Sequence, residues 1–207
     1  MGLYLEKKTN GGALLTIWEL TESELELGTL VPACCGLLGS LMRENRRKER
    51  LAVQALLCKL FGDDVRLDHD LNGRPFLPNK PDHVSIAHTQ RFVVVMSHPV
   101  RRVGVDIERL DRNFSTVEAR ALAPCERSYL SSERRPLQLA ILWSAKEAFF
   151  KYISQEKIDF ATQMEIEPFI PEEFGVLCAR FLHRDQTTET HFLEYQVVDN
   201  HILTYIV

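Results

Sequence analysis

Two short segments carry most of the chemistry written in this chain. The first, Val103-Gly104-Val105-Asp106-Ile107-Glu108, alternates. That period of two is a strand's, so Val103, Val105 and Ile107 share one face while Gly104, Asp106 and Glu108 share the other. Two carboxylates then project from one sheet face, their Cα atoms about 6.6 Å apart. The second segment, Trp143-Ser144-Ala145-Lys146-Glu147-Ala148-Phe149-Phe150-Lys151, is helical. Leu142, Ala145, Phe149 and Tyr152 form its apolar stripe, and Glu147 and Lys151, at i and i+4, point away from that stripe. A third carboxylate and an amine are thereby placed to face the strand pair across a cleft. Three carboxylates converging with one lysine suit a hard divalent cation and a phosphate group.

Each segment alone has a plain alternative. Asp106 and Glu108 read equally as the wet face of an antiparallel strand, although Asp is disfavoured within strands and Gly104 leaves room for a ligand to approach. Glu147 and Lys151 read as a surface i,i+4 pair. Jointly the two segments are far more specific than either. Lys146 lies on the helix flank between the stripe and Glu147, placed either to reach a phosphate or to snorkel. His88 ends a β-run, and Arg74 sits in the turn Asn72-Gly73-Arg74-Pro75. The cluster Arg46, Arg47 and Arg50 is either a solvated helix face or an anion site, arginine being well shaped for phosphate.

The remaining composition bounds the setting. With 207 residues the chain is long enough for a substantial core. Its net charge of −4 argues against nonspecific nucleic-acid binding. No apolar run reaches the roughly 18–20 residues of a membrane span, and the N-terminus lacks the order of a signal peptide. The five cysteines (Cys34, Cys35, Cys58, Cys125, Cys178) are odd in number and show no C-x-x-C spacing. That pattern argues against zinc and for reduced thiols in a cytoplasm, with the adjacent Cys34 and Cys35 as core filler.

The supporting elements follow from periodicity and punctuation. Strands are predicted over 13–20 and 65–68, and helices over 22–28 and 44–61, the latter stopped by Gly62. Strands over 84–87, 92–97 and 103–108, joined by short turns, read as a meander. Helices follow over 115–122, 125–130 and 137–153, with Pro136 favourable in a first turn. Strands over 165–170, 175–182, 191–198 and 202–207 complete the chain. The sum is an α+β fold of two similar, pseudo-two-fold halves, residues 1–109 and 110–207. Each half is a small antiparallel sheet packed with helices, and the active site lies in the cleft between them. The Asp106/Glu108 strand closes the first half.

In order along the chain, Gly73-Arg74-Pro75-Phe76, Val84-Ser85-Ile86-Ala87-His88-Thr89, the Asp106 segment and the Glu147 segment resemble the 4′-phosphopantetheinyl transferase superfamily, in its two-half, surfactin-synthetase-activating (Sfp-like) type. The resemblance implies a monomer that transfers 4′-phosphopantetheine from coenzyme A to a serine of an apo acyl or peptidyl carrier protein, with adenosine 3′,5′-bisphosphate as the other product. It implies Mg²⁺ on Asp106, Glu108 and Glu147, Glu147 as the base for the carrier serine, and Lys151 as the neutralising cation. Lys146 and His88 would contact phosphates. The family often has Ser where this chain has Ala87, and the hydroxyl of Thr89 would stand in for it. Arg46 or Arg47 would hold the 3′-phosphate, and Arg74 would sit near the adenine. Gln54 stands where an arginine is common. The rival readings are a non-catalytic homologue that binds coenzyme A or a carrier, and a metal-dependent phosphodiesterase. The helical Glu147–Lys151 spacing and the negative net charge weigh against the latter.

Overall fold

The computed structural model describes residues 2–32 and 43–207. Cys34 and Cys35 lie outside the described residues. The chain divides into two compact units, one of residues up to Val103 together with Val207, the other Gly104–Ile206.

The first unit runs β1 (Leu3–Lys8), β2 (Leu14–Glu19), α1 (Glu24–Thr29), α2 (Glu44–Phe61), β3 (Asp68–His69), β4 (Pro75–Phe76), β5 (His83–His88) and β6 (Phe92–His98). Its strands form one antiparallel sheet in the order β1-β2-β6-β5-β4-β3. Helix α2 packs its Leu51, Ala55, Leu56 and Cys58 into a core with Trp18, Val93 and Val95. It occupies the predicted span and ends as predicted, at Gly62, which takes a positive φ of 92° while its N–H closes on the Cys58 carbonyl. Strand β1 is not among the predicted strands. It pairs with β2 at the sheet edge, and only two of its six residues are even half-buried, so its sequence shows little apolar alternation.

The second unit runs β7 (Gly104–Arg109), α3 (Ser115–Ala121), α4 (Pro124–Ser128), α5 (Arg135–Ile153), α6 (Phe160–Gln163), β8 (Met164–Ile166), β9 (Phe174–Leu182), β10 (Thr188–Val198) and β11 (His201–Ile206). Its sheet is again antiparallel, ordered β7-β11-β10-β9-β8. The architecture is therefore α+β, two antiparallel sheets each packed with helices. One expectation is corrected. β7 does not continue the β5–β6 meander. It pairs with β11, Asp106 opposite Thr204 and Glu108 opposite Ile202, and so belongs to the second unit. Local alternation identifies a strand but not a partner some hundred residues away.

Helix α5 lies on the β7–β11 end of this sheet. Its Leu142, Ala145, Ala148 and Phe149 are fully buried in a core shared with Phe181, Leu193 and Ile202. The approach is close at Gly104, where a Cβ would meet the Ala148 carbonyl oxygen at 2.2 Å and the Tyr152 Cβ at 2.9 Å. The space that the sequence left for a ligand is thus filled by the helix, and glycine is what lets helix and strand meet. Gly104→Ala is expected to force α5 off β7 and to destabilise the protein by about 1–3 kcal/mol, as overpacking does. Gly28→Ala is the control, since a Cβ there meets nothing within 4 Å. Equal urea midpoints for the two variants would refute this account of Gly104.

Candidate active site

The close seating of α5 on β7 sets two pairs of candidate residues against each other. On β7, Asp106 is buried and Glu108 half-buried; on α5, Glu147 and Lys151 are half-buried. Lys151 Nζ donates to Asp106 Oδ1 at 2.8 Å and to the Val105 carbonyl at 3.0 Å. The other Asp106 oxygen, Oδ2, is buried with no hydrogen-bond partner among the described residues, as is Oγ1 of Thr204, its register neighbour on β11. Glu108 Oε1 accepts from the Trp143 indole N–H at 2.7 Å and forms an ion pair with Arg112. The Arg112 guanidinium in turn lies 5.5 Å from the Phe114 ring centre and 5.7 Å from that of Trp143, both cation–π distances.

Glu147 is held differently. Burial, then the neighbouring charge of Asp106 and more weakly that of Glu108, push its carboxyl up to about 7, against the pull of Lys151 and Arg112. A carboxylate poised near neutrality, with a lysine one helical turn away, is equipped to accept a proton from a hydroxyl. The predicted quartet Asp106, Glu108, Glu147 and Lys151 is therefore brought together within one unit.

The oxygen-rich donor set suits a hard cation, and the unsatisfied Asp106 Oδ2 is an acceptor that such an ion would fill. Among the described residues no three acidic, histidine or cysteine side chains stand in metal-holding geometry. Asp106 and Glu108 are each paired with an internal cation.

Lys146 corrects an expectation. It is fully buried and paired with the equally buried Glu126 at 2.6 Å. Its Nζ also donates to the carbonyls of Ala121, Phe160 and Met164 at 2.8–2.9 Å. Burial pushes its ammonium below lysine's ordinary range, and Glu126 opposes that shift. Glu126 meanwhile accepts the backbone N–H of Ala123 and of Ile166. The pair ties α5 to the α3–α4 connection, to α6 and to β8, and leaves no amine for a phosphate. A signal for this was present: Lys146 is four residues after Leu142 and three before Phe149, on the inward stripe of the helix. Arg112, Glu126 and the indole of Trp143 were not assigned from sequence. Their importance rests on partners 4 to 35 residues away.

In the first unit, Arg46 Nη1 approaches His88 Nε2 to 3.2 Å, and Glu49 bridges the two, 3.1 Å from Arg46 and 3.5 Å from His88. Arg47 instead pairs with Glu24 at 2.7 Å. The Thr89 hydroxyl accepts the Arg91 and Phe92 N–H groups and so closes the β5–β6 turn. Arg74 is half-buried, its Nη2 without a partner among the described residues, and desolvation followed by the nearby Arg102 charge pushes its guanidinium down. Arg46 and His88 are thus neighbours on α2 and β5, while Arg47 turns away to α1. Gln54 donates to the Val65 carbonyl at 3.3 Å and serves packing.

Among the described residues no helix is long and apolar enough to cross a membrane. The family model of the 4′-phosphopantetheinyl transferase superfamily matches residues 102–206, half of the chain and the part that holds the quartet. A 4′-phosphopantetheinyl transferase of Bacillus subtilis is 35% identical over 85 residues, 38% of this chain and 37% of that protein. The 4′-phosphopantetheinyl transferase Sfp of Bacillus subtilis strain 168 is 30% identical over 97 residues, 45% of this chain and 43% of that protein. The chain thus matches about two fifths of the length of these curated relatives.

Proposed function

This chain belongs to the 4′-phosphopantetheinyl transferase superfamily, and on that footing we propose that it transfers the 4′-phosphopantetheine group of coenzyme A to a serine hydroxyl of an apo acyl or peptidyl carrier protein. The serine oxygen forms a bond to the β-phosphorus, and the bond from that phosphorus to the bridging oxygen breaks. Adenosine 3′,5′-bisphosphate leaves with that oxygen, and the serine proton passes to the protein. The observation that carries this reading is the grouping of Glu147 with Asp106, Glu108 and Lys151 inside the segment that matches the family.

In this reading Glu147 removes the serine proton as the hydroxyl attacks. Lys151, already on Asp106, balances charge growing on the transferred phosphoryl and the leaving group. Asp106, Glu108 and Glu147 would hold Mg²⁺, which supplies charge neutralisation at the diphosphate when bound. As the family resemblance implies, Arg46 and His88 would contact a phosphate of coenzyme A and Arg74 would sit near the adenine. The division into two units supports the Sfp-like rather than the shorter holo-acyl-carrier-protein-synthase type.

The test is intact mass spectrometry of apo carrier proteins incubated with this protein, coenzyme A and Mg²⁺, with an EDTA control. A phosphopantetheine-sized gain that EDTA prevents supports the reading. Coenzyme A binding with no gain on any of several carriers refutes it in favour of a non-catalytic homologue. Asp106→Ala is expected to raise the Mg²⁺ concentration for half-maximal rate by about tenfold or more, the least that removing a group from a metal's surroundings usually costs. An unchanged Mg²⁺ titration would remove Asp106 from the metal site.

A further inference from the structure

The candidate site has its own internal counter-ions. Lys151 sits on Asp106 and Arg112 on Glu108, while among the described residues Glu147 has no direct cationic partner. A divalent cation that takes Asp106 and Glu108 as ligands, Asp106 through its open Oδ2, shares those carboxylates with the ammonium and the guanidinium and weakens both ion pairs. The two cations are then left with less than a full counter-charge, the exposed Arg112 most easily released. A diphosphate-bearing ligand that arrives with the metal brings the missing negative charge.

We propose that Arg112 is a counter-cation that competes with the divalent metal for Glu108 and turns to the substrate's diphosphate once displaced, so that metal and diphosphate bind synergistically. This rests on the transferase reading for the identity of the anion. The geometry gives Arg112 somewhere to go: its guanidinium lies against the rings of Phe114 and Trp143. Apolar faces of this kind let a planar guanidinium slide while it stays stacked on them. Its side chain is 46% exposed, against 17% for Glu108, so it can leave its partner at small cost. Trp143 keeps hold of the same Glu108 oxygen through its indole N–H, so the carboxylate stays oriented when the arginine departs. By linkage, whatever factor the metal adds to diphosphate affinity the diphosphate adds to metal affinity.

The test measures binding. Mn²⁺ replaces Mg²⁺ and is titrated by electron paramagnetic resonance against the full chain without coenzyme A; coenzyme A is titrated by calorimetry with and without Mg²⁺. In the wild type, Mg²⁺ is expected to tighten coenzyme A by about fivefold or more. Arg112→Gln is expected to bind Mn²⁺ more tightly than the wild type when coenzyme A is absent, and to lose most of the Mg²⁺-dependent gain in coenzyme A affinity. Arg112→Lys, which keeps the charge, should restore part of that gain. Mn²⁺ affinity of Arg112→Gln that is unchanged or weaker than wild type overturns the proposal. The metal-only titration needs no coenzyme A. A failure of the transferase reading, seen as no carrier mass gain, is therefore distinguishable from a failure of this one.

Discussion

Glu147→Gln is expected to slow phosphopantetheine transfer by about 10²–10⁴-fold, the usual contribution of a positioned general base, while coenzyme A binding changes little. Glutamine keeps the shape but loses the negative charge, and with it both the ability to take a proton and a carboxylate's hold on Mg²⁺. In the wild type the rate should rise with pH through about 7, because the carboxylate form is the active one. Added Mg²⁺ should move that rise to lower pH, since a nearby cation favours the charged form. The same residue has an opposite effect on stability. Its native value of about 7 lies above the ordinary 4.5, so the folded state binds more protons than the unfolded state between these values, and stability falls as pH rises through that window. Glu147→Gln should therefore melt at a higher temperature than wild type at pH 8, with the difference shrinking toward pH 4.5. Rates near wild type would remove Glu147 from the chemistry. A lower melting temperature at pH 8 would contradict the strained carboxylate.

Lys146→Met is expected to cost about 3–5 kcal/mol, the penalty for leaving one member of a buried ion pair without the other. Against a typical total stability of about 5–15 kcal/mol, that threatens folding at growth temperature. Glu126 would lose its cation while remaining fully buried, and the carbonyls of Ala121, Phe160 and Met164 would lose a shared donor. Soluble yield and the urea midpoint read the effect. Adding Glu126→Leu should recover part of the loss, because an apolar pair replaces an orphaned charge; recovery is partial since Ala123 and Ile166 still lose their acceptor. A Lys146→Met protein with a wild-type midpoint would show the hub to be idle.

The sequence was most legible where the relevant partners are close along the chain. Helices α2 and α5 were readable from repeats of three and four residues and from Gly62 and Pro136 at their ends. The quartet was readable because its spacing lies within two short segments. What was not readable depends on distant partners. β7 looks like the next strand of a meander until β11 is seen to claim it. Lys146 and Glu147 are consecutive and both charged, yet one is fully buried and the other lies in a half-open site. Helical rotation separates them, but only the remote Glu126 shows that the inward one is satisfied. Gly104 looks like an opening in the sequence, which cannot show that Ala148 fills it.

The pairing of β7 has a temporal meaning. Asp106 and Glu108 sit on an edge strand whose ladder neighbour is β11, His201–Ile206. During synthesis the first unit's sheet can close long before those residues exist. The strand bearing the two carboxylates has nothing to pair with until then. The two carboxylates are therefore made well before the strand that pairs with theirs. A nascent chain without β11 leaves the two carboxylates on an unpaired strand, so assembly of the candidate site waits on synthesis of β11 rather than of its own motifs.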